Sequence, residues 1–140
     1  MKFMLALIWA VFILVATCNS DAAAFLYEQT VNFNVNPRPN FSNLFILYDI
    51  DFGDNFYLIQ KIGHTLAFGI LYALVFGWLK NLNKALLVCG LFALFTEVVQ
   101  LYFERSGRLF DVGVDFVGIL LAYSLCRLLN SHSQSAAVKR

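Results

Sequence analysis

This 140-residue chain has little charge, little histidine and few cysteines, and each shortage excludes something. Only 14% of the residues are Asp, Glu, Lys or Arg, against 60% hydrophobic. That leaves too little polar surface to keep a soluble domain of this length dispersed. Neither sign dominates: ten basic residues against nine acidic give a formal net charge of +1. There is thus no basic field for nucleic acid and no acidic tail. Cys18, Cys89 and Cys126 are an odd number, and all lie in apolar stretches. They read as small buried hydrophobes rather than a disulfide framework or a metal-ligand set. Internal repeats, low-complexity segments and an evidently placed Ser or Cys nucleophile are all lacking.

What the chain has is long apolar runs, with a mean hydropathy of +0.69. Four stand out: Phe3 to Thr17, Ile62 to Leu79, Ala85 to Phe103 and Val112 to Leu129. A membrane-crossing helix needs roughly 20 mostly apolar residues, with a lower limit near 17. The last three runs qualify, and backbone hydrogen bonding in lipid makes them helices. The first is short. Lys2, the apolar stretch and the small-residue exit Asp21-Ala22-Ala23-Ala24 also suit a signal peptide, although Thr17 is a poor fit before Cys18 for a lipoprotein cleavage box. The expectation is an all-α integral membrane protein. It would be a bundle of four transmembrane helices, the first retained or else a signal peptide, with a polar pocket near the outer face.

The expected organisation is a first helix or signal peptide over 1–18, an outer polar segment over 19–58, a transmembrane domain over 59–130 and a cytoplasmic tail over 131–140. Within the polar segment, "VNFNVNPRPN" (31–40) alternates apolar and polar and breaks at Pro37 and Pro39, which predicts an extended stretch and a turn covering the helix ends. "FSNLFILYDI" (41–50) is too short to span, which suggests an interfacial or re-entrant segment. Cationic residues favour cytoplasmic loops. With the amino terminus inside, Lys2, Lys80, Lys84, Arg127, Lys139 and Arg140 lie on the cytoplasmic side, and Arg38, Lys61, Arg105 and Arg108 lie opposite. Cleavage after the first run would leave the other helices oriented the same way. Glu104 and Arg105 read as solvated loop residues, and His132, in the polar tail, has no expected role.

This orientation gathers polar residues into one layer. Lys61 and His64 fall near the outer end of the second run, Glu97 and Gln100 in the outer third of the next, and Asp111 and Asp115 at the outer mouth of the last. Each pair is spaced i,i+3 or i,i+4 and therefore shares one helix face. An ionised group facing lipid at mid-membrane costs at least ~2.5–3.5 kcal/mol, so these faces are expected to turn inward. Gly118, one turn beyond Asp115, would allow close helix approach on the same face.

These residues resemble the VanZ-like family of small bacterial membrane proteins. The likeness rests on Lys61-x-x-His64, Glu97-x-x-Gln100, the loop pair Gly107-Arg108, and Asp111, Asp115 and Gly118, in that order over about residues 58 to 129. The family often has Asp and an aromatic where this chain has Gln60 and Thr65. The resemblance implies a multi-pass protein of the bacterial cytoplasmic (inner) membrane, and the family's founding member is associated with teicoplanin resistance. It does not supply a biochemical activity.

The constellation itself suggests acid–base chemistry by His64, Glu97 and Asp115. Lys61, Gln100, Arg108 and Asp111 would bind substrate, with arginine holding a phosphate or carboxylate in bidentate fashion. One histidine among carboxylates is not a diagnostic metal pattern, so neither metal nor cofactor is assigned. The partners expected are membrane lipids, including a lipid-linked envelope precursor that the protein binds or modifies, and no nucleic acid. The alternative is a non-catalytic assembly or binding protein whose polar cluster is structural, with Lys61 and Arg108 paired to Glu97, Asp111 and Asp115. A proton-coupled carrier is disfavoured because the polar groups gather at one side. The sequence does not specify oligomeric state.

Overall fold

The computed structural model describes residues 1–46, 51 and 53–138, the last seven by backbone alone. Its elements are α1 (Lys2–Cys18), α2 (Ala22–Glu28), a 3-10 turn (Phe41–Phe45), α3 (Asn55–Leu79), α4 (Leu82–Gln100), continued by a 3-10 turn (Leu101–Phe103), and α5 (Leu109–Val138). Among the described residues there is no strand. Helices α3, α4 with its 3-10 extension, and α5 to Ser131 are long and apolar enough to cross a membrane. Helices α1 and α2 meet the test only as a pair bent by 118°.

Local chemistry sets the boundaries. Asp54 begins α3 by accepting the Phe56 N–H at 2.9 Å, and Asn81 begins α4 by accepting that of Lys84 at 3.0 Å. Between them Lys80 adopts a left-handed conformation (φ 55°), and its N–H returns to the Phe76 carbonyl at 2.9 Å. This is a tight helix-to-helix turn. Asp21 caps α2 through the Ala24 N–H at 2.8 Å. Helix α2 lies within the 19–58 segment, α3 begins there as well, and α5 carries helical backbone through residue 138. Of the 41–50 stretch, residues 47–50 lie outside the described residues, as do Lys139 and Arg140.

The core runs along α3, whose Phe68, Leu71, Tyr72 and Val75 pack with Ala85, Cys89, Ala93 and Ile119. Helix α1 lies antiparallel to α3: the Phe3 and Trp78 rings are 4.8 Å apart, and the Trp9 Nε1–H donates to the Ala67 carbonyl at 2.9 Å. Ile62, Leu66, Leu87, Leu91, Leu121 and Leu125 point outward and are exposed. So much outward apolar surface fits lipid rather than water.

After the left-handed Gln29 that ends α2, the segment from 30 to 40 has no regular helix or strand, bends at 37–38, and covers the end of the bundle where α3 begins and α4 ends. Asn19, wholly buried, accepts the Asn32 N–H at 3.0 Å and donates to the Thr30 carbonyl at 2.9 Å. The Ser20 hydroxyl donates to the Phe103 carbonyl, the Asn36 N–H donates to the Tyr102 carbonyl, and the Phe33 ring meets Phe103 edge-on. This strap fixes the covered end, where the polar residues gather.

Candidate functional site

Helices α3 and α5 meet through glycine. A Cβ at Gly118 would overlap the Thr65 carbonyl oxygen, and one at Gly69 would come within 3.2 Å of the Gly118 carbonyl oxygen. With no Cβ in the way the two backbones touch, as small-residue membrane interfaces allow. One turn away, that approach brings an ion pair and a histidine–carboxylate contact across the same seam. Lys61 Nζ donates to Asp111 Oδ1 at 2.5 Å, and His64 Nδ1 lies 3.0 Å from Asp115 Oδ1. Lys61 Nζ also sits 4.5 Å from the Tyr57 ring centroid, a cation–π distance.

Helix α4 adds the third side. Glu97 is wholly buried; its Oε1 accepts from Gln100 Nε2 at 2.8 Å, and its Oε2 accepts the Arg108 N–H at 2.8 Å. The latter bond depends on Gly107, where a Cβ would overlap the Glu97 carbonyl oxygen. The Gly107-Arg108 pair is therefore a steric requirement: only a residue without a side chain lets the loop press onto the end of α4. His64, Glu97 and Asp115 each present a ligand-type atom, and these lie within 4.8 Å of one another. All seven predicted site residues, Lys61, His64, Glu97, Gln100, Arg108, Asp111 and Asp115, thus belong to one cluster.

They occupy two levels. A polar pocket of about 120 Å³ is lined by Lys61, His64, Gln100, Arg108 and Asp111 together with Tyr57, Gln60, Arg105 and Ser106. Glu97 and Asp115 lie beneath it, fully buried. Asp115 Oδ1 orients the His64 ring through Nδ1, the arrangement by which a carboxylate positions a histidine base. Asp115 Oδ2 is buried with no hydrogen-bond partner among the described residues. The His64, Glu97 and Asp115 spacing would accept a divalent cation by geometry. The adjoining pocket is lined by three cationic side chains, Lys61, Arg105 and Arg108, and one acidic one, Asp111, which is bonded to Lys61.

Arg105 corrects the sequence reading. Glu104 is exposed as expected, but Arg105 is half-buried and lines the polar pocket instead of standing in solvent. Burial pulls its guanidinium below the ordinary arginine range, against the opposing charges of Glu97, Asp111 and Asp21. Gln60 and Tyr57 were also absent from the predicted set. The i,i+4 spacing from Tyr57 to Lys61 and from Gln60 to His64 was a signal that could have found them.

A second cavity adjoins the first. It is a half-open apolar groove of about 240 Å³ between α1, α2 and α3, and it shares Gln60, His64 and Arg105 with the polar pocket.

Comparison with known proteins agrees with this architecture. The family model for VanZ/LLP1 matches residues 3–130. The "Uncharacterized membrane protein YwnJ" of Bacillus subtilis (strain 168) is 35% identical over 126 residues, covering 90% of each chain. No solved structure matches. The likeness first seen over about residues 58 to 129 therefore extends through α1 as well.

Proposed function

We propose a function for this chain from one premise: it is a membrane protein of the VanZ/LLP1 family. The polar pocket binds the anionic head group of a lipid-linked envelope precursor on the outer side of the bacterial cytoplasmic membrane. His64, held by Asp115, moves a proton there. The observation that supports this most is the lining of the pocket, where the cations Lys61, Arg105 and Arg108 surround a histidine at the end of a membrane bundle. Guanidinium groups hold phosphate or carboxylate oxygens in pairs. In this reading Lys61, Arg105, Arg108 and Gln100 bind, His64 meets the ligand, and Asp111, Glu97 and Asp115 position them from beside and below. Helix α1 is retained in this reading, and it walls the neighbouring groove.

A second reading has its own support. Lys61–Asp111 and His64–Asp115 each tie α3 to α5, so the cluster could serve only as a lock. Mass spectrometry of lipid extracts from cells with and without the protein separates the two. Binding or modification of a precursor is expected to change the amount or mass of a particular anionic lipid-linked species. Indistinguishable extracts would count against it and favour the lock.

A further inference from the structure

The apolar groove and the polar pocket meet at three residues, Gln60, His64 and Arg105. The groove wall beyond them is almost wholly apolar, including Phe12, Ala16 and Phe68 from α1 and α3. At about 240 Å³ it falls short of the roughly 300–1,000 Å³ of a site that engulfs a whole small molecule. It is the size for a segment of chain.

The charges at the junction are unequal. Asp111 is taken by Lys61, Asp115 by His64, Glu97 by Gln100 and the Arg108 N–H, and Asp21 by its capping bond to Ala24. Arg105 has no side-chain hydrogen bond or ion pair among the described residues, and its Nε is buried without a partner. The carboxylates of Glu97, Asp111 and Asp21 act on Arg105 through space, but its buried Nε–H has no acceptor among the described residues, and that is costly. An anion placed beside it would relieve that cost.

We propose that the groove between α1, α2 and α3 seats one hydrocarbon chain of an anionic membrane amphiphile, whose head group lies against Arg105 and His64 in the polar pocket. This rests on the head-group reading above and adds the chemical class of the ligand: one charged head and one apolar chain, admitted sideways from the bilayer. Moving a chain from lipid into the groove brings little hydrophobic gain, since lipid tails are as apolar as the groove wall. The groove instead fixes where the chain leaves the head group, and so selects chain-bearing ligands over free anions.

Gly63 makes the test clean. It lines the groove, and a Cβ there would meet nothing within 4 Å, so Gly63→Leu fills space without displacing the backbone. Replacing a helix-interior glycine also favours the helix. The full chain, as Trp78→Phe, is placed in nanodiscs of phosphatidylcholine, leaving Trp9 as the single tryptophan beside Ala67 of the groove wall. The probe is a long-chain ω-bromoalkyl phosphate, whose bromine quenches Trp9 when the chain is seated. The controls are the matching ω-bromoalkyl trimethylammonium salt and inorganic phosphate.

Saturable quenching by the phosphate amphiphile, well above that by the ammonium salt, is expected. Gly63→Leu should weaken it on the order of tenfold or more, while inorganic phosphate still shifts the thermal unfolding of that variant as it does the parent. Arg105→Gln should weaken both. Equal quenching by the ammonium salt would mean general partitioning into lipid and would overturn the proposal. Unchanged quenching in Gly63→Leu would remove the groove as chain seat and leave the head-group reading standing. No response to inorganic phosphate, with Arg105→Gln like the parent, would defeat the head-group reading itself.

Discussion

Lysines stand at both ends of this bundle, and they are treated differently. At the strapped end Lys61 is bonded to Asp111 at 2.5 Å, partly buried, with further acids beneath. At the other end Lys2 and Lys80 lie side by side, and the Lys2 ammonium holds Lys80 below the ordinary lysine range. No acid is paired there among the described residues. Exposed like charges cost little because water screens them, and unpaired lysines at helix ends are what orients a membrane protein. A lysine taken into a three-helix seam needs a counter-charge. One end of the molecule therefore carries unpaired lysines in the open, and the other a lysine held by an acid within the bundle.

The largest expected effect is all-or-none. With Cys18, Cys89 and Cys126 replaced, a membrane-impermeant thiol reagent applied to intact spheroplasts should label Ser106→Cys and leave Leu82→Cys untouched. The reverse pattern would exchange the two ends and remove the pocket from the outer side. A smaller effect concerns the seam. Lys61→Met alone leaves Asp111 unpaired and should destabilise the protein by about 2 kcal/mol, whereas Lys61→Met with Asp111→Leu should recover most of that loss. Thermal unfolding in detergent measures both; a double variant no better than the single would mean that the pair does more than neutralise itself. The smallest effect belongs to the other end, where Lys80→Gln should leave the unfolding temperature unchanged. A clear shift there would erase the contrast between the two ends.

Much of the strapped end was legible because helical spacing carries it. Lys61 and His64, Glu97 and Gln100, and Asp111, Asp115 and Gly118 lie on faces that periodicity alone assigns, and a charge that cannot face lipid must turn inward. Loops carry no such period. Arg105 looked solvated because nothing local indicates that it packs against the groove of α1 and α2. The part played by Asn19 and Ser20 in tying the strap depends on partners 11 to 83 residues away. Gly107 was legible as part of a motif, but its reason, the close approach of the Glu97 carbonyl, is a tertiary fact.

The central claim is that the polar end is a place of chemistry and not a lock, and His64→Asn tests it most directly. Asparagine Nδ2 can take the place of the imidazole Nδ1 and keep the bond to Asp115, while the second ring nitrogen and the titratable proton are lost. The measurements are the folded amount recovered from the membrane and the lipid extract of the cells. Chemistry at the pocket predicts native abundance with the protein-dependent lipid difference reduced by about 100-fold or more, the usual scale of a general acid–base contribution. A lipid difference that survives intact, or one that falls only in step with abundance, would contradict it.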